Sequence, residues 1–212
     1  MKKTKVLLYC LKAKPYLYKT HFVKVEDVVK GINNKFIYEI DNHERTYLNG
    51  EKRPFLNGTI VAECDFEVEE HKETTIDWLC MSLREKIIFG NMCKKANIDE
   101  LKCYEYANGK PLYAIHIKNL HIFDEPRELS DYYKFDGIYS DINNWETIDK
   151  APQNMMYAYD LTSELCLSGT FNRYLKEKIL ISIRPEWLCK ILNGEKTIEV
   201  RRKVLKKMLE NE

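Results

Sequence analysis

The chain has 212 residues, 44% of them hydrophobic and 32% charged, with a formal net charge of +1. That is apolar material for one large or two small cores, and the near-balance of charge excludes a global basic field, so any contact with nucleic acid must come from a local patch. Seven cysteines are scattered without a C-x-x-C pair and no stretch approaches a membrane span, which argues against a disulfide scaffold, a zinc site or a membrane partner and for a reducing, cytoplasmic setting.

Taken along the chain, the apolar run at residues 5–11 breaks at Lys12. It is too short for the core of a signal peptide and reads as a first strand. Residues 35–40 read as a strand and, with the polar stretch 41–50, as a hairpin insertion. Further strands are expected over 58–69, 112–123, 154–160, 179–184 and 197–202. Ile76, Leu79, Cys80, Leu83 and Ile87 follow helical spacing, and residues 98–101 open a second short helix. Strands dominate and helices interrupt them, an α+β pattern. His116 and His121 stand five apart on a predicted strand, so they face opposite sides and do not share a metal. Neither a metal nor a cofactor is expected.

The most informative stretch lies near the C-terminus, at residues 193–201 (NGEKTIEVR). Read as G-x-K-x-x-E-x-R, it packs a turn glycine, two cations and a carboxylate into eight residues. Residues 179–183 precede it as a strand, Pro185 suits the first turn of a short helix, and Asn193-Gly194 suits its end. Along the strand that follows, Ile198 and Val200 share one face and Thr197, Glu199 and Arg201 the other. An ordinary amphipathic edge strand with a surface ion pair fits this spacing about as well as a functional cleft does.

Residues 179–203 closely resemble the opening of the ASCH domain, a branch of the PUA-like β-barrel superfamily, with Gly194, Lys196, Glu199 and Arg201 on its motif positions. Residues 5–18 (KVLLYCLKAKPYLY), 58–64 (GTIVAEC), 113–120 (YAIHIKNL) with 123–126 (FDEP), and 151–157 (APQNMMY) resemble later parts of the same family, particularly its phage and low-GC bacterial members. In the family the motif unit comes first; here it comes last. The resemblance therefore implies one circularly permuted barrel with flanking helices: residues 1–159 supply the later strands and insertions, 160–177 a connector, and 178–212 the opening strand–helix–strand unit. A truncated second copy is the alternative, but a unit of about 35 residues does not bury a stable core alone. Leu161, Leu165, Leu167 and Phe171 make the connector too apolar for a bare tether, so it is expected to pack as a helix or strand.

Positive charge collects at the start of the chain (Lys2, Lys3, Lys5, Lys12, Lys14, Lys19) and at its end (Arg201, Arg202, Lys203, Lys206, Lys207). Solvated termini explain either cluster alone. A permuted barrel would bring both to one side, with Tyr9, Tyr16, Tyr18 and Tyr47 as stacking surfaces for unpaired bases. The resemblance implies an RNA- or nucleotide-binding module, with Gly194, Lys196, Glu199, Arg201, Lys12, Lys14 and Tyr16 at the ligand. An enzyme is the alternative: some small family members remove acetyl from acetylated cytidine and another is described as a ribonuclease. Lys196 and Glu199 would then be catalytic and Thr197 a candidate nucleophile. Two of the three amidohydrolase positions differ here, with Glu199 in place of a threonine and Lys95 near an expected glutamate. A third reading is a phage-encoded protein that binds a host factor or a nucleotide signal.

Overall fold

The computed structural model of the chain describes residues 4–12, 16–17, 23–30, 36–41, 56–135, 145–165 and 171–210. Among these it is a mixed α+β protein. The strands are β1 (Lys5–Cys10), β2 (Tyr16–Leu17), β3 (Val23–Lys30), β4 (Phe36–Asp41), β5 (Ile60–His71), β6 (Leu112–Arg127), β7 (Tyr132–Phe135), β8 (Trp145–Thr147), β9 (Met155–Leu165), β10 (Phe171–Ile183) and β11 (Ile198–Arg201). The helices are α1 (Leu83–Ala96), α2 (Glu100–Ala107), α3 (Pro185–Leu192) and α4 (Lys206–Leu209). Eight strands form one sheet in the order β11-β6-β5-β1-β10-β9-β7-β8, and β2-β3-β4 form a second. The described pairings leave the larger sheet open. No helix among the described residues is long and apolar enough to cross a membrane.

The chain divides into two compact units, each built from two stretches. The first comprises residues 1–63 and 121–189. Here β1 runs parallel to β10 in the register Lys5↔Lys178 to Cys10↔Ile183. β9 and β10 pair antiparallel from Phe171↔Leu165 to Ile181↔Met155, so the expected connector largely extends two strands into a long hairpin; residues 166–170 lie outside the described ones. The strand expected at 35–40 is β4, and it pairs back onto β3. Residues 42–50, the rest of that expected insertion, are likewise outside. The core gathers Leu7, Tyr9, Ile60, Phe123, Tyr132, Ile148, Ala158 and Leu180.

The same unit holds a charged triad that sequence reasoning missed, with Lys178 buried and Glu63 and Lys5 partly exposed. The Lys5↔Lys178 register puts two ammonium groups on one carboxylate: Glu63 accepts from Lys178 at 2.6 Å and from Lys5 at 3.0 Å. Burial raises the Glu63 pKa, but the hydrogen bonds from Lys178 and then Lys5 outweigh it and bring it down to about 2.

The second unit comprises residues 64–120 and 190–212. Its core joins Phe89, Met92, Cys93 and Ala96 of α1 to Cys103 and Ala107 of α2 and to Leu112, Ala114, Ile198 and Val200 of the paired strands β6 and β11. The helical spacing read from Ile76 to Ile87 is corrected here in both start and face. Ser82 caps α1 in a reciprocal box with Glu85, so the helix begins only at Leu83. Its core face is the later set Phe89, Met92, Cys93 and Ala96, while Leu83 and Ile87 point outward. The helix expected near 98–101 is α2, capped by Asp99.

Candidate functional site

The G-x-K-x-x-E-x-R motif is built as the sequence suggests, but its charges are turned inward. α3 ends in a Schellman turn: Gly194 has φ +75°, its N–H reaches the Ile191 carbonyl, and the Glu195 N–H reaches that of Lys190. The chain leaving the turn is anchored by its backbone. The Thr197 N–H donates to the Lys95 carbonyl at 3.0 Å, and the Thr197 carbonyl accepts from Ile117 at 2.9 Å. From Ile198 the strand alternates as expected, with Ile198 and Val200 in the core and Glu199 and Arg201 on the other face.

Lys196 is almost fully buried. Its Nζ donates at 2.8 Å to the Ala96 carbonyl in the last turn of α1, where the helix dipole favours a cation. The same Nζ lies 3.4 Å from Glu199, whose other oxygen lies 2.8 Å from Arg201 Nε. Burial pushes the Lys196 pKa down, partly countered by Glu199, while Arg201 pushes it further down. Thr197 is exposed, so lysine and threonine diverge as the alternation predicts. Lys95 meets the motif through its backbone carbonyl, which accepts from the Thr197 N–H.

The rest of the C-terminal basic cluster is also engaged. Arg202 lies over the Tyr106 ring at 4.9 Å and Lys206 pairs with Glu210 at 3.4 Å. Glu67 to Glu73, the acidic stretch, is matched locally by Lys118, His116, His71 and Lys72. His116 pairs with Glu69 while His121 packs edge-on against Phe123.

Lys12 has a different environment. In the first unit it lines an open pocket of about 450 Å³ together with Tyr9, Leu11, Gly58, Glu128, Leu129, Ser130, Ile148, Asp149, Lys150 and Ala151. That volume falls within the range for small-molecule sites. Leu11, Leu129 and Ala151 supply the apolar part of a lining that is otherwise polar. Gly58, at φ +88°, sits in the Leu56–Thr59 turn, donates its N–H to the Cys10 carbonyl at 2.7 Å and lies directly under the Lys12 side chain. Tyr9 is mostly in the core, so it is no open stacking platform; burial raises its pKa, with Cys10 and Glu128 adding to the shift.

The pocket's lining carries two cations, Lys12 and Lys150, and two carboxylates, Glu128 and Asp149. Asp149 is taken by Lys134 at 3.2 Å, and the Glu128 side chain accepts from the Asp131 N–H in a capping box. Lys12 and Lys150 are exposed, and neither has an ion-pair partner among the described residues. Lys150, Glu128 and Ser130 carry no spacing signal in the sequence. They reach the pocket because β7, β8 and the turns beside them bring residues 128–130 and 148–151 to the end of β1.

Of the other expected ligand residues, Tyr16 sits on β2, paired with Lys24 of β3, and Lys14 lies outside the described residues. β11, which carries Glu199 and Arg201, pairs with β6, and β10 pairs with β1. Comparison with protein-family models, curated proteins and solved structures returned no match.

Proposed function

We propose that this chain is a circularly permuted ASCH/PUA-like barrel that binds RNA or a nucleotide, with phosphate held at the Lys12 pocket. The observation that carries the ligand reading is the pair of exposed lysines, Lys12 and Lys150, which line one pocket and make no ion pair among the described residues. Two ammonium groups in a mixed polar and apolar pocket suit a ligand with an anionic end and a partly polar body. A nucleotide is such a ligand. The Tyr9 and Ser130 hydroxyls supply the hydrogen bonding that orients it.

The permutation is supported by the strand pairing. The C-terminal strand β10 lies parallel beside the N-terminal β1, and β11 joins the same sheet, as a unit moved from one end of a fold to the other must do. In this reading the motif Lys196–Glu199–Arg201 holds α1 to β11, and Arg201 is its most exposed cation. The hydrolase reading is less well supported, because Lys196 Nζ faces a helix carbonyl while Thr197 faces solvent.

The test is a titration with a nucleoside monophosphate and a labelled single-stranded RNA pool, using wild type, Lys12→Ala and Lys150→Ala. Each lysine is exposed, so each variant is expected to fold and to lose about tenfold in affinity, the worth of one charge-assisted contact. Acetylated cytidine in the same assay gives the enzymatic arm: turnover by wild type that is lost in Thr197→Ala, at an exposed position, would replace the binding reading with the hydrolase one. Wild type that retains neither ligand would overturn both.

A further inference from the structure

The second unit presents an apolar surface that its own core does not use. Leu83 and Ile87, one turn apart on α1, are 76% and 55% exposed, and Leu101 at the start of α2 is 60% exposed. Ile87 and Leu101 line a groove of about 980 Å³ between the two helices. The groove is narrow at Gly90, where a side chain would run into the Glu100 carboxylate. Clusters of large exposed aliphatic residues at this density mark association surfaces on soluble proteins.

The charges on the groove point to its occupant. Lys86 and Lys94 line it from α1, and Asp99 and Glu100 line it from the start of α2. None of these four makes an ion pair among the described residues: Lys86 lies 5.6 Å from the centre of the Trp78 ring, and the Asp99 side chain accepts from the Lys102 N–H. One wall is therefore cationic and the other anionic. A partner of a single sign would satisfy one wall and be repelled by the other. A second copy rotated by a two-fold axis satisfies both, since its carboxylate wall meets the lysines and its lysine wall meets the carboxylates.

We infer that the α1–α2 groove is an isologous dimer interface, in which Leu83, Ile87 and Leu101 of two copies pack together and Lys86 and Lys94 face Glu100 of the other copy. This surface is independent of the Lys12 pocket.

The test is the solution mass of the full chain by light scattering, across a concentration series extending to high micromolar. Wild type is expected at twice the chain mass of 25.3 kDa. Lys86→Glu/Lys94→Glu and Glu100→Lys are each expected to be monomeric, and their equimolar mixture to regain the dimer mass. Ile87→Glu, at a position already facing solvent, is expected to be folded and monomeric. A monomeric wild type overturns the inference, and so does a dimer that survives Ile87→Glu. Reversed variants that remain apart when mixed overturn the charge pairing.

Discussion

Lys196 Nζ donates to the carbonyl of Ala96 at 2.8 Å, tying the motif lysine to the last turn of α1. A residue that the resemblance implies as a ligand contact is buried and bonded to a helix end. Removing it strips a partner from both Ala96 and Glu199 and leaves a void. Lys196→Ala is expected to cost about 2–4 kcal/mol in a urea melt. A loss below about 0.5 kcal/mol, as at a surface site, would show that the ammonium is not holding the helix end.

Gly194 occupies the left-handed position of the Schellman turn that ends α3, and a Cβ there would meet nothing within 4 Å. Only backbone conformation penalises a side chain. Gly194→Ala should destabilise by about 1 kcal/mol, and Gly194→Asn by less, because asparagine tolerates that region. Equal costs for the two would point to packing instead.

The Glu63 triad sets an acid limb of stability. The folded pKa of about 2 lies below the ordinary 4.5, so the contribution is fully present above about 4.5 and is lost as pH falls toward 2. Glu63→Gln should flatten the stability profile across that window. At neutral pH it should cost about 3 kcal/mol, since Lys178 is left buried without its carboxylate. A profile between pH 2 and 4.5 that parallels wild type would contradict this.

The interior pattern of this protein was readable in the sequence where one residue type serves one purpose. Ile198 and Val200 alternate with Glu199 and Arg201 because a strand has two faces, and Pro185 and Gly194 bracket α3 for conformational reasons. The α1 assignment failed because Leu79, Leu83 and Ile87 mimic a core stripe while facing solvent. The cap Ser82 with Glu85 was the better signal, and it was present in the sequence. Lys196 and Lys12 differ in a way no spacing reveals: whether a charge is engaged depends on partners brought from distant segments, Ala96 for the first and none among the described residues for the second. Lys150 and Ser130 were invisible for the same reason.

Gly58 offers a test of the pocket that leaves every charge in place. A Cβ on it would push the Lys12 side chain aside, and its φ of +88° is unfavourable for alanine. Gly58→Ala is expected to cost about 1 kcal/mol in stability and to weaken phosphate-ligand binding several-fold. Unchanged affinity would place the ligand away from Lys12.

The most direct test of the account is the salt dependence of binding to a short single-stranded RNA. Each phosphate neutralised by a lysine contributes about 0.7 to the slope of log affinity against log salt. With Lys12→Ala/Lys150→Ala the slope should become shallower by about 1.4, alongside the loss of affinity. A double variant that binds with the wild-type slope would show that the pocket does not hold phosphate, and the central claim would fall.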